Sequence, residues 1–233
     1  MSGTLYGVGL GPGAPDLMTL RAARLIEAAK VVAYPTLAGG ESFARAIAAD
    51  LISDDVREIV MDVPMTVERA PAQEAYDTGA AAIAAALDAG EDVVCLCEGD
   101  PFFYGSFMYL FARLSGKYQV EVVPGVTSVT ACAARAGMPL AARNERLTVL
   151  PGPLPEDELR ARIEGAESVV IMKVGRHMAK IRAVIDELGL TDHAVYVERA
   201  TLPQEVVSPL ADAPEKAPYF SMILLTKGAD PWL

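Results

Sequence analysis

The chain has 233 residues, 52% hydrophobic and 22% charged, which allows one large domain or two small ones and excludes wholesale disorder. Its 20 Lys and Arg stand against 31 Asp and Glu, a formal net charge of -11, so it lacks the basic character that non-specific nucleic-acid or membrane-surface binding requires. An acidic small-molecule substrate stays open, provided a few cations converge locally.

In chain order, short apolar β-branched runs alternate with longer Ala-rich amphipathic stretches. Strands are predicted at Leu5–Leu10, Val31–Tyr34, Val56–Val60, Val93–Cys97 and Val120–Val123. Further strands are predicted at Leu147–Leu150, Val169–Met172, Ala194–Val197 and Phe220–Leu225. Helices fall between them at Thr19–Ala29, Ser42–Leu51, Arg69–Ala89, Phe107–Leu114, Ser128–Ala136, Glu156–Glu164 and Arg176–Leu188, with Thr19 and Ser42 as N-caps. This alternation predicts an α/β fold with sheets covered on both faces. Ser115-Gly116-Lys117 breaks a helix ahead of a fresh strand, so the expected division is into residues 1–116 and 117–233. The stretch Pro203–Pro218, with prolines at 203, 209, 214 and 218, reads as a surface connection.

The three cysteines, Cys95, Cys97 and Cys132, make no disulfide framework. Cys95 and Cys97 are expected on opposite faces of a strand, as small buried hydrophobes. With only His177 and His193 besides, no metal site is expected. Neither a basic-then-apolar leader nor an uncharged apolar stretch of the ~18 residues that span a bilayer is visible. The expectation is a reduced, soluble, cytoplasmic protein.

Three strand-end turns carry the chemistry. Gly7-Val8-Gly9-Leu10-Gly11-Pro12-Gly13 follows the first strand and suggests a dinucleotide fingerprint, but the third glycine of G-x-G-x-x-G would fall at Pro12. Proline offers no N–H to a pyrophosphate, and the second strand ends at Tyr34-Pro35 with no acid for a ribose. The loop is either a tight strand-to-helix turn or one where a substrate lies close against bare backbone. Glu98-Gly99-Asp100-Pro101-Phe102-Phe103-Tyr104-Gly105 follows the fourth strand, where open α/β sheets bind ligands. It is a solvated acidic turn or a polar ligand site. Pro124-Gly125-Val126-Thr127-Ser128 offers hydroxyls that cap the next helix or bind a ligand carboxylate.

Together these turns resemble the signatures of the tetrapyrrole (corrin and porphyrin) methyltransferases. Gly9-Leu10-Gly11-Pro12-Gly13 with Leu17 and Thr19-Leu20-Arg21-Ala22 is similar to the opening signature. Gly99-Asp100-Pro101 with Tyr104-Gly105 is similar to the second, and Pro124-Gly125-Val126-Thr127-Ser128 to the third. The resemblance covers essentially the whole chain. Within the family, the run Glu98–Tyr109, Arg143-Asn144-Glu145 and Val197-Glu198-Arg199-Ala200-Thr201 are most similar to the precorrin-2 C20-methyltransferases of cobalamin biosynthesis.

The resemblance implies two α/β domains with mixed sheets and a cleft between them, a homodimer, and S-adenosylmethionine bound folded in that cleft. Cofactor contacts are implied at Leu10, Pro12, Gly99, Asp100, Phe103, Thr127, Ser128 and Met172, and around Ala200 and Met222. The implied reaction is methylation of C20 of precorrin-2 to give precorrin-3A, leaving S-adenosylhomocysteine. The alternatives are cobalt-precorrin-2 as substrate, another ring carbon, or a non-catalytic module that binds a tetrapyrrole or an adenosine compound. Substrate contacts are expected at Glu98, Tyr104, Tyr109, Arg176 and Arg199. Glu98, Tyr104, Tyr109, Glu198 and water are available bases, and none is assigned as catalytic. The substrate carries many carboxylates, so local cations must offset the acidic chain. The candidates are Arg143, Arg146, Lys173, Arg176, His177 and Arg199, of which Arg176 and Arg199 are expected to face the substrate.

Overall fold

A computed structural model describes residues 2–37, 40–64 and 69–228. The chain divides into two compact units, Met1–Thr127 and Ser128–Leu233.

The first unit contains β1 (Thr4–Gly9), α1 (Leu20–Glu27), β2 (Val31–Leu37), α2 (Phe43–Ile47) and β3 (Arg57–Val63). It continues with α3 (Arg69–Asp88), β4 (Val93–Cys97), α4 (Phe107–Leu114) and β5 (Gln119–Val123). Its five strands form one sheet in the order β3-β2-β4-β1-β5. Every pairing is parallel, because every connection is a helical crossover. The expectation of mixed sheets therefore fails for this unit. The expected boundary at 116/117 would detach β5, but β5 pairs with β1, from Thr4 opposite Gln119 to Val8 opposite Val123, and stays in the first sheet.

Strand β4 is buried at every position, which is why it reads as an unbroken apolar run. Leu5, Ala33, Cys95, Cys97, Ile83 and Phe107 share the layer under α3 and α4. Val8, Val32, Leu96 and Ile26 share the layer under α1 and α2. Cys95 and Cys97 thus face the same way, contrary to expectation, because side chains two apart in a strand lie on one face. They are buried and free, as is Cys132. Gly7 lets α4 settle on the sheet: a Cβ there would lie 2.3 Å from the Phe107 ring. Phe107 is 1% exposed, and its truncation to Ala would cost about 3–5 kcal/mol. The caps form as expected: Thr19 Oγ1 accepts from Ala22 N–H at 3.2 Å and Ser42 Oγ from Arg45 N–H at 3.3 Å.

The second unit contains α5 (Ser128–Ala136), β6 (Leu147–Pro151), α6 (Glu156–Glu164), β7 (Ser168–Met172) and α7 (Met178–Glu187). It ends with β8 (Ala194–Glu198), β9 (Val206–Pro209) and β10 (Ser221–Thr226). Its sheet is mixed, in the order β6-β7-β10-β8-β9. Strands β6 and β7 are parallel, while β10 runs antiparallel to β7 and β8. Leu159, Ile163, Ile181, Ile185, Ile171 and Tyr196 form its core. Strand β9 corrects the reading of Pro203–Pro218 as connection only. It pairs with β8 at the sheet edge, where Pro209 costs no ladder bond from a further strand.

Candidate functional site

In the first sheet, the order β4-β1-β5 brings the carboxyl ends of these three strands side by side, and with them the three Gly-rich turns. Leu10 N–H donates to the Cys97 carbonyl at 2.9 Å. One step further, Gly99 N–H donates to Gly11 at 2.7 Å and Gly11 N–H to Gly99 at 3.2 Å, a small antiparallel bridge beyond the parallel strands. Gly11 (φ +82°) and Gly99 (φ +64°) both use the left-handed region this bridge demands. The third turn presses in from the other side. A Cβ on Gly125 would lie 2.0 Å from the Gly99 carbonyl oxygen, and one on Gly9 would lie 2.6 Å from Gly125 N. Backbone packs directly on backbone here, which only glycine permits.

Asp100 ties the block together. One carboxylate oxygen accepts from Phe102 N–H at 2.9 Å and the other from Gly125 N–H at 3.1 Å. Both oxygens are committed to the scaffold, so Asp100 holds two loops in register, with lone pairs left over for a ligand. At Gly99, by contrast, nothing lies within 4 Å of where a Cβ would project. The backbone of Gly99 is therefore open to close approach on that side.

The other expected residues of this unit divide by exposure. The Leu10 side chain is 0% exposed within the core, so it offers a ligand backbone alone. Pro12 and Phe103 are half-buried, and Phe103 meets Tyr104 edge-on at 5.3 Å. Tyr104, with φ 57°, and Tyr109 are exposed, and Tyr109 rests on Tyr76 at 5.0 Å. Glu98 is half-buried, and burial holds its carboxyl above the ordinary range despite help from backbone N–H groups at Glu98 and Ala44. Burial likewise pushes the Cys97 thiol up to about 11, which leaves it protonated and unreactive. Thr127 closes the unit half-buried.

In the second unit, the antiparallel course of β10 sets its first residues beside the ends of β7 and β8. Met222 pairs with Met172 and with Val197, and Ser221 pairs with Glu198. Met172, Met222 and the turn Arg199-Ala200 thus lie together at one end of the sheet. The Met172 carbonyl accepts from Gly152 N–H at 2.7 Å. Ala200 is buried, and Ser128, first residue of α5, is half-buried. Lys173 (φ 56°), Arg199 (φ 45°) and Thr201 (φ 70°) are left-handed without being glycine. The turn is braced: Arg199 N–H donates to Phe220 at 2.8 Å, and the Glu205 carboxylate accepts from Thr201 N–H at 2.6 Å and from Arg135 at 2.7 Å.

The expected cations separate. Arg146 is held by both oxygens of Glu167 and is spent on a surface pair. Arg176 is exposed beside His177, whose pKa is lowered by burial and by Lys180 and Arg176. Arg143 (φ 47°) is exposed. Arg199 pairs with Glu198, a buried carboxylate that also accepts from Tyr196 Oη at 2.8 Å. The bracing by Glu205 and Tyr196 leaves no signal in the sequence, because neither lies in a turn motif. Among the described residues, no group of three His, Cys, Asp or Glu is arranged to hold a metal ion, and no helix is long and apolar enough to cross a membrane.

Residues 4–214 match the family of tetrapyrrole (corrin/porphyrin) methylases. Over 232 residues the chain is 42% identical to a precorrin-2 C(20)-methyltransferase of a Sinorhizobium species, covering 96% of this chain and 95% of that one. It is 36% identical to a cobalt-precorrin-2 C(20)-methyltransferase of Salmonella typhimurium, covering 97% and 98%. The solved uroporphyrin-III C-methyltransferase of Thermus thermophilus, complexed with S-adenosyl homocysteine, is similar at a TM-score of 0.66 and 25% identity, covering 96% and 92%.

Proposed function

The chain belongs to the tetrapyrrole (corrin/porphyrin) methylase family, and we propose that it methylates C20 of precorrin-2 from S-adenosylmethionine, giving precorrin-3A in cobalamin biosynthesis. The observation that carries this reading is the 42% identity along nearly the whole chain, in a fold whose Gly11, Gly99 and Gly125 turns form one hydrogen-bonded block. The higher identity to the enzyme named for precorrin-2, 42% against 36%, favours the metal-free substrate over the cobalt-loaded one.

S-adenosylmethionine, when bound, supplies a sulfonium methyl carbon that is electrophilic without further activation. The residues of this chain bind and orient. In the first unit, the open backbone face of Gly99 and the Asp100 turn receive the methionine part, with Phe103 beside them and Pro12 shaping the loop. Leu10 contributes through its backbone. The Thr127 and Ser128 hydroxyls hydrogen-bond the methionine end. In the second unit, Met172 contributes backbone, and Ala200 and Met222 contribute apolar surface. Tyr104, Tyr109, Glu98, Arg176 and Arg199 take the macrocycle. Holding nucleophilic carbon and methyl in line supplies of order 7–11 kcal/mol of the barrier in favourable cases. The protein works as a cytoplasmic homodimer, each half of the chain folding as an α/β domain.

The test is incubation with methyl-13C-labelled S-adenosylmethionine and precorrin-2, with and without cobalt, and location of the label by NMR. Label at C20 of the metal-free macrocycle is expected. Label at another ring carbon reassigns the position, and binding of both molecules without transfer overturns the enzymatic reading.

A further inference from the structure

We propose that Glu198 is a positioning residue for the substrate: through Arg199, it fixes a guanidinium fork that receives one carboxylate of the macrocycle. This deepens the function proposed above and rests on its reading of the substrate as a polycarboxylate tetrapyrrole.

Glu198 ends β8 with 9% of its surface exposed, although it is a carboxylate. Burying such a charge is costly unless it is paired and hydrogen-bonded. Both conditions are met. Tyr196, two residues earlier on the same face and 0% exposed, donates its hydroxyl to one oxygen at 2.8 Å. Arg199 Nη1 donates to the other. As a device for stability alone, the arrangement is weak, because an ion pair with one partner open to solvent contributes little. Its product is geometric. The Arg199 backbone is left-handed and anchored by its N–H to Phe220 at 2.8 Å, and its guanidinium is anchored by Glu198. Held at both ends, the side chain remains 39% exposed.

A guanidinium has five donors, of which Glu198 takes one, and a fork fixed in advance loses little freedom when a carboxylate docks on it. Among the expected cations, Arg146 has its fork already closed by Glu167. Arg199, by contrast, has its charge aimed by a buried partner.

Coulomb attraction and positioning give opposite signs for one substitution. Glu198→Gln removes a negative charge beside Arg199, so attraction alone would tighten binding of a polyanion. Positioning requires it to weaken binding, because the charged anchor becomes a neutral one. The probe is uroporphyrin III, an octacarboxylic porphyrin, titrated by fluorescence quenching. Glu198→Gln is expected to raise its Kd about tenfold while S-adenosylhomocysteine affinity and the melting temperature hold. Tyr196→Phe should move Kd the same way by less. On an Arg199→Ala background, Glu198→Gln should have no effect on Kd, because a residue acting through Arg199 has nothing left to position. In turnover, the KM for the tetrapyrrole should rise with kcat kept. Unchanged or tighter binding by Glu198→Gln overturns the proposal, as does an equal effect with and without Arg199. If the parent protein binds neither uroporphyrin III nor precorrin-2, the substrate reading itself falls and takes this one with it.

Discussion

Each unit gathers its turns at one end of its own sheet, yet the two build them from different material. The first uses backbone: Gly11 and Gly99 adopt left-handed conformations cheaply, and Gly9 and Gly125 admit contacts that a single Cβ would forbid. The second uses side chains: Lys173, Arg199 and Thr201 adopt the same region at a cost, and carboxylates from Glu198 and Glu205 hold the Arg199–Thr201 turn. The difference teaches two ways to fix a turn: bare backbone, which leaves room for close approach, and a braced side chain, which here holds one guanidinium, that of Arg199, in place.

The most severe way to break this contrast is Gly125→Ala. Its Cβ would fall 2.0 Å from the Gly99 carbonyl oxygen, a backbone atom that no rotamer change removes. We expect a loss of about 3 kcal/mol of stability and on the order of a hundredfold in turnover, checked by urea unfolding and methyl transfer. A variant that melts like its parent would mean the block is not close-packed. Next is Asp100→Ala, which strips the acceptors from Phe102 and Gly125 N–H. A loss of about 2–3 kcal/mol in chemical denaturation is expected, with Asp100→Asn retaining part of it.

Gly99→Ala sharpens the contrast, since its Cβ meets open space and pays only for φ +64°. Stability should fall by about 1–2 kcal/mol. S-adenosylhomocysteine binding, read by calorimetry, should weaken by about tenfold or more, since the methyl occupies the ligand's side. Equal affinity would remove Gly99 from the site. Smaller again is the pH response of Glu98. Burial raises its folded-state pKa above 4.5, so the folded form favours the proton and stability falls as pH rises from 4.5 through the folded value. Glu98→Gln should therefore be stabilising at pH 7, with the advantage vanishing below pH 4.5 in melts across that window. Smallest is Arg146→Ala, which opens an exposed pair with Glu167 and should leave tetrapyrrole KM unchanged.

Much of the first unit was legible because its strands are buried runs and its turns are marked by Gly and Pro. Val93–Cys97 reads directly as β4, with both faces covered. Topology was not legible. Ser115-Gly116 announces a break in the chain, but only pairing shows that β5 returns to β1 through a crossover rather than opening a new domain. Strand β9 was hidden because Val206 and Val207 are exposed, at 42% and 39%, on a short edge flanked by prolines, and show no buried-face alternation. At the site, spacing revealed which turns matter and not what each side chain does. Asp100 reads as a carboxylate offered to a ligand, whereas its oxygens first satisfy two backbone N–H groups. Glu198 reads as an available base, whereas Tyr196 and Arg199 engage it, and the Tyr196 bond depends on two side chains meeting on one strand face.

The central claim is that the glycine block of the first unit seats the sulfonium donor. A crystal structure of the protein with S-adenosylhomocysteine tests it most directly. The homocysteine portion should lie against the bare face of Gly99, within hydrogen-bond reach of the 98–100 turn, and its occupancy should fall in crystals of Gly99→Ala soaked at the same limiting concentration. Ordered S-adenosylhomocysteine bound away from Gly99 and Asp100 would contradict the account.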